Sequence, residues 1–467
     1  MEIKKWFSRL KLGVNPSANS TEFRTQRFKI AVLSSLTGKS VSIVLQLVAL
    51  PLAIAALGID RFGIYAMLVA LLNWINVAGV AVTPGLTVQI VSANSAGDRD
   101  LETRVFTTAF LFALLVAVSI FMGLQAVFQM IGASLLFGSA VLPYLDEVAF
   151  GLQFLAVFMS LSIVLSIIEA AQVGYQNQHI NNLLVTLGSA LSIVAVFVLV
   201  RQKPTIPTLI LSIYGIPLIA RSLNVLHLFW CRRYLLPKRG TFSMIALRKM
   251  LTTGSAFLLT LLGTFLYQSF SIYWAGRELG SAVAAQISVM ITVLNIAGSI
   301  LITVTQPLWP AIQDAVTRND RVWVRSAYRR ILRTLVPYIT LAGVTLAIGG
   351  EYIIGFWLKS GVHIDIMMRL MWGVYFFIVA WEHLNYTVLI GMSRFWFASL
   401  IFLSGSLIMV LSSVLLVKNV GVDGLLVSLC LGPLLLSAWI YPLEIRRLLS
   451  RHQKVVSATV RHGQDSA

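Results

Sequence analysis

Apolar runs longer than the roughly 18 residues that mark a bilayer span follow one another from residue 28 to residue 444, parted only by short polar clusters. They are too many for a soluble core to bury, and too many for one anchor beside a folded domain. Charged residues make up 12% of the chain, about half the share in an ordinary soluble domain. The expected architecture is therefore an all-α polytopic membrane protein of about twelve transmembrane helices. The expected spans lie near 28–57, 62–93, 104–130, 148–175, 181–200, 206–230, 250–275, 281–312, 328–350, 366–392, 395–417 and 421–444.

A net charge of +18 would point to nucleic acid in a soluble protein. Here most Lys and Arg fall on one side of the expected spans: in the first 29 residues, the even-numbered loops and the tail. Arg232, Arg233, Lys238, Arg239, Arg248 and Lys249 form one cluster, and Arg318, Arg321, Arg325, Arg329, Arg330 and Arg333 another. Basic residues resist translocation, so the charge is read as topogenic, with both termini cytoplasmic and no nucleic-acid partner. The opening MEIKKWFSRLKL has no apolar core or cleavage site for a signal peptide. Ile3, Trp6, Phe7 and Leu10 recur at helical spacing among basic residues, as in a helix lying on an anionic membrane surface. Cys231 and Cys430 are far apart and match neither a disulfide framework nor a metal site, so no metal or cofactor is expected.

Laid over itself without a gap so that Leu57 meets Leu279, the chain repeats. Gly58, Leu72, Asn73, Val82, Thr83, Leu86, Ile90, Ala93, Asp98 and Arg99 meet Gly280, Leu294, Asn295, Val304, Thr305, Leu308, Ile312, Ala315, Asp320 and Arg321. Matches of Asn, Thr, Asp and Arg are not matches of greasiness. The reading is two six-helix parallel repeats about an axis along the membrane normal, with a central cleft between them. The units are a cytoplasmic interfacial segment 1–27, a bundle 28–230, a basic linker 231–249 that leaves the bundles free to rock, a bundle 250–444 and a tail 445–467.

Charges inside a span cost about 2.5–3.5 kcal/mol each on insertion scales, so those retained face a cavity or a partner. Lys39 lies about 16 Å in from the basic end of its span, and Arg221 and Glu382 about 15 Å, on one level. Ser35, Lys39, Ser42 and Gln46 form one stripe on the first helix. Asn73, Asn76, Thr83 and Thr87 lie on the second, Thr260, Thr264 and Tyr267 on the seventh, and Ser288, Thr292, Asn295, Ser299 and Gln306 on the eighth. These faces line a hydrated cleft or, on the plainer reading, glue helices together. No acid lies within a turn of Lys39. Arg221 has a second reading as a structural bridge to Glu382 or Glu169. Glu382, Glu169 and His383 are the candidates for ion coupling.

Prolines such as Pro84 and Pro307, in nearly equivalent places, predict bends in both halves. Asp98, Arg99 and Asp100 match a DxD metal-sugar pattern, but the repeat puts Val322 where Asp100 stands. The shared feature is a loop charge pair. Outer loops are short and no HExxH, P-loop or GxSxG occurs, so no enzyme activity is expected.

Pro51-Leu52 leading to Leu57-Gly58, then Phe62-Gly63-Ile64-Tyr65, a long second helix and Gly97-Asp98-Arg99 resemble the polysaccharide and O-antigen flippases of the multidrug/oligosaccharidyl-lipid/polysaccharide exporter superfamily. The resemblance implies a flippase of the bacterial inner membrane, and a monomer is expected. Its substrate would be an undecaprenyl-pyrophosphate-linked oligosaccharide, turned by alternating access to the periplasmic leaflet for O-antigen, capsule or exopolysaccharide synthesis. It also implies membrane lipids, a polysaccharide polymerase and a chain-length regulator as partners. Lys39 and Arg221 are the positions that would meet the anionic head group, and the Asn, Gln, Ser and Thr stripes would meet the sugars. A cation-coupled multidrug exporter of the same superfamily is the nearest alternative. It would be expected to carry an acid in the first or seventh span, where this chain has Lys39 and no mid-span acid. A membrane glycosyltransferase or polymerase would need a large outer loop with acids.

Overall fold

The computed structural model describes residues 20–73, 81–199, 201–202, 204–237, 240–305, 308–358 and 364–464, with side chains from residue 40 to residue 450 except 42, 72, 256 and 310. The expected surface helix at residues 1–11 lies outside them. All regular structure among the described residues is helical. Ten helices there are long and apolar enough to cross a membrane, and Met244–Ser255 with Phe257–Leu279 supplies an eleventh as a bent pair. The remaining expected span, the second, is divided between the end of Ser20–Asn73 and Thr83–Ala96. The chain is thus a multi-pass membrane protein.

The first span enters as Ser20–Asn73, which turns at Gly58 (φ 77°) into the start of the second. Gly280 (φ 103°) makes the same turn between the seventh and eighth spans. Both angles belong to glycine, because a Cβ would strike the carbonyl that follows it. The repeat recurs at the basic face. Gly97 (φ 70°) and Asn319 (φ 58°) occupy matching turns, and Asp98 and Asp320 accept from Leu101 N and Trp323 N at 2.9 Å. The DxD-like triplet therefore contains a helix cap. Arg99 lies over the Tyr234 ring at 5.5 Å, and Arg321 donates to the Leu448 carbonyl at 2.7 Å. Each of these arginines reaches the segment that closes its own half.

The halves meet along the second and seventh spans. A Cβ on Gly85 would fall on the Met250 backbone, and one on Gly254 on the Ala81 carbonyl. Gln89 Nε2 donates to the Ala246 carbonyl at 3.1 Å. Small residues let the backbones approach, which drives helix association where no hydrophobic effect is available. Away from the basic face the contact continues through Gly63 against Ser281 and Gly276 against Met67. There Tyr273 OH donates to the Leu136 carbonyl at 2.7 Å and its ring meets Phe137 edge-on at 6.0 Å. The structure is closed across the halves at this opposite face.

The segments that join and follow the bundles are held in place. The linker is strapped to the third span, Arg99–Ile131, and does not swing free. Tyr175 and Tyr234 both donate to Glu102 Oε2 at 2.6 Å, and Arg232 stacks on Tyr175 at 3.6 Å. Thr103 Oγ1 donates to the Tyr234 carbonyl at 3.2 Å, Ser243 N donates to Thr108 Oγ1 at 3.0 Å, and Leu235 is fully buried. The tail, in turn, continues the last helix, Ser437–Gln464. Hydropathy marks where lipid ends, not where backbone hydrogen bonding ends.

Candidate functional site

The second half holds a pocket of about 170 Å³ between the seventh, eighth and tenth spans. Its seventh-span wall is shaped by a single π turn, Leu266–Phe270, which carries Tyr267 and Gln268; such turns are frequent at functional sites. Gln268 Nε2 donates to Asn295 Oδ1 at 3.2 Å. Trp372, Tyr375 and His383 line the tenth-span side, and His383 Nε2 lies 3.0 Å from Thr305 Oγ1. The Tyr267 hydroxyl and the Trp372 indole N–H are buried without a hydrogen-bond partner. Apolar walls with a few converging polar groups are the general character of an organic-ligand pocket.

Glu382, one residue from His383, is 4% exposed. Its carboxyl is surrounded by Tyr267, Tyr375, Tyr386 and Tyr441, with Ser437 as hydrogen-bonding neighbour. Among the described residues no Lys, Arg or His lies within ion-pair distance of it. A buried carboxyl without a cation beside it is expensive to ionise.

The first half is arranged differently. Arg221 Nε and Nη2 donate to Glu169 Oε1 and Oε2 at 2.6 and 3.0 Å, so Arg221 is not the free cation expected for a phosphate. Glu169, expected as a coupling candidate, is spent in the same pair. Each side chain is 24% exposed. Beside them a buried amide network joins the fourth, fifth and sixth spans. Gln172 Nε2 donates to Asn224 Oδ1 at 2.9 Å, and Asn224 Nδ2 to Asn181 Oδ1 at 2.6 Å. Asn181 Nδ2 in turn donates to the Glu169 carbonyl at 3.0 Å. Satisfied donors and acceptors of this kind lock helices together.

The side chains of Lys39, Ser35 and Ser42, and residues Asn76 and Gln306, lie outside the described residues. Of the remaining expected lining residues, Asn295 reaches the pocket. Thr264 and Ser299 bond back to their own helix at the Thr260 and Ile296 carbonyls. Gln46 is exposed, and Asn73 and Thr83 are half-buried. Gln268, Trp372 and Tyr375 went unread. Gln268 is brought to the pocket by a π turn that periodicity does not show, and Trp372-x-x-Tyr375-Phe376 reads as ordinary helix packing.

No family model and no curated protein matches this chain. Solved structures do. An inward-facing multidrug resistance MATE family transporter of the MOP superfamily superposes with TM-score 0.75 at 14% identity, over 88% of this chain and 96% of that one. An outward-facing conformation of a MATE family transporter gives 0.61 at 16% identity, over 92% and 96%. A MATE protein in complex with MaL6 gives 0.64 at 14% identity, over 92% and 97%. These likenesses establish a shared fold of two helical repeats.

Proposed function

We propose that this chain exports amphiphilic organic solutes by alternating access, with a proton or small cation at Glu382 setting the direction. One observation carries the reading: a buried carboxyl, with no cation within ion-pair distance among the described residues, stands beside an apolar pocket whose polar groups include an amide pair and a histidine. The fold shared with multidrug transporters supports it. The acid expected of a cation-coupled exporter in the first or seventh span is supplied instead by the tenth, where Glu382 lies next to seventh-span Tyr267. With the basic face cytoplasmic, closure at the opposite face corresponds to the state that loads from the cytoplasm. Occupancy of Glu382 would then bias the two states only through different affinities in each.

The test is efflux of a lipophilic cationic dye from proteoliposomes under imposed proton or sodium gradients. Native protein is expected to respond to one gradient, and Glu382→Gln to carry dye without responding to either. Undiminished gradient dependence in Glu382→Gln would remove the coupling role.

Transfer of an undecaprenyl-pyrophosphate-linked oligosaccharide is the second reading, supported by Lys39, which has no acid within a helical turn. Of the motif residues that suggested it, Gly58 makes the turn between the first two spans and Gly63 the close approach to Ser281 of the other half. They therefore speak for the fold and not for the substrate. Retained surface polysaccharide in Lys39→Ala at normal protein abundance would exclude this reading.

A further inference from the structure

The ninth span is longer than a membrane requires. Arg321–Leu358 has 38 residues, and Arg333 stands about 38 Å from Leu358 at 1.5 Å per residue, beyond a hydrocarbon core of about 30 Å. Arg325, Arg329 and Arg333 recur every four residues with Arg330 beside them, and all four are exposed. Val324, Tyr328, Leu335, Ile339 and Leu346 are buried on the opposite side of the helix. The arginine side runs on into Leu341 (68% exposed), Val344 and Ile348, so it overlooks the surrounding lipid.

Among the described residues no acid forms an ion pair with these four side chains, whereas nearby Arg318 pairs with Asp314 at 3.0 Å. Like charges four apart on a helix repel, so the row favours a counter-charge from outside the chain. The repeat shows that packing does not demand it. The matching positions on the third span are Thr103, Thr107, Thr108 and Leu111, where Ser243 of the linker bonds Thr108.

We infer that Arg325, Arg329, Arg330 and Arg333 form a binding surface for the phosphate head groups of anionic phospholipids in the leaflet at the basic face. Arginine offers a planar fork of donors that fits phosphate oxygens in pairs. Anionic lipid concentrates where such clusters meet the membrane.

The experiment is native mass spectrometry of the purified full chain with phosphatidylglycerol or phosphatidylcholine added. Native protein is expected to retain phosphatidylglycerol preferentially, and the variant with all four arginines changed to Gln to lose affinity by about tenfold or more. A fourfold Lys variant keeps part of the binding, as a point charge without the fork. Should the Gln variant fail to insert, the native protein decides alone: its preference must weaken as salt rises. Equal retention of the two lipids, or unchanged retention in a folded Gln variant, overturns the assignment. So does retention of added farnesyl pyrophosphate where phosphatidylglycerol is not retained, which would give the surface to a pyrophosphate-bearing substrate. None of these readouts depends on dye export, so failure here leaves the transport reading standing.

Discussion

Arg221 reaches both carboxylate oxygens of Glu169, tying the sixth span to the fourth with two charge-assisted hydrogen bonds of 2.6 and 3.0 Å. The pair is partly exposed, so it contributes less than a fully buried one. Arg221→Met or Glu169→Gln alone leaves one charge without its partner and is expected to cost about 1–3 kcal/mol. The double variant removes both charges and regains most of the loss. Thermal unfolding in detergent measures this, and simple additivity would show that the two residues act separately.

Gly85 and Gly97 separate crowding from backbone strain. A side chain at Gly85 meets the Met250 backbone, so Gly85→Val forces the second and seventh spans apart and is expected to abolish folded yield. Gly97 has open space around its missing Cβ but a φ of 70°, so Gly97→Ala costs about 1–2 kcal/mol and still folds. Size-exclusion profiles of the two variants make the comparison.

Tyr273 holds the opposite face shut through the Leu136 carbonyl. Tyr273→Phe keeps the ring on Phe137 and loses a hydrogen bond worth about 1 kcal/mol, a shift of about fivefold toward opening on that side. The rate at which a thiol reagent labels Ser281→Cys, buried against Gly63 at that face, in the Cys231→Ser, Cys430→Ala background reports the change. An unaltered rate would mean that this bond does not gate the face.

Glu102 is 2% exposed and receives both Tyr175 and Tyr234. Glu102→Gln weakens the strap and is expected to speed tryptic cleavage after Arg232 and Arg233. Burial, then the hydrogen bond to Glu102, raises both phenols above their usual value. Their contribution to stability is present in full below the unfolded value of about 10 and is lost as the pH climbs beyond it. Proteolysis of native protein should therefore accelerate above about pH 10, and less so in Glu102→Gln.

Much of the fold was legible because hydropathy and charge asymmetry are local signals that a bilayer enforces. Gly58 with Gly280, and Asp98 with Asp320, were visible as repeated letters before either had a turn or a cap to explain it. The site was less legible. Arg221 and Glu169 lie 52 positions apart, and periodicity does not say that their helices face each other. Glu382 was a visible anomaly, an acid inside an apolar run, yet its surroundings, in which no cation lies within ion-pair distance among the described residues, depend on what neighbouring helices bring near it.

Taken alone, the order of residues determined that this chain lives in a membrane, crosses it about twelve times, repeats its plan and turns its basic loops to one side. The spans and the sidedness follow from transfer energies that add along the chain, and the repeat from residues matched between the halves. Tertiary structure decided which charges are cancelled, where the π turn sets Gln268 against Asn295, and that the linker is strapped to Glu102. Pairing is a property of distance in space, and inside a low-dielectric bilayer a few ångströms separate a structural ion pair from a site that needs a ligand.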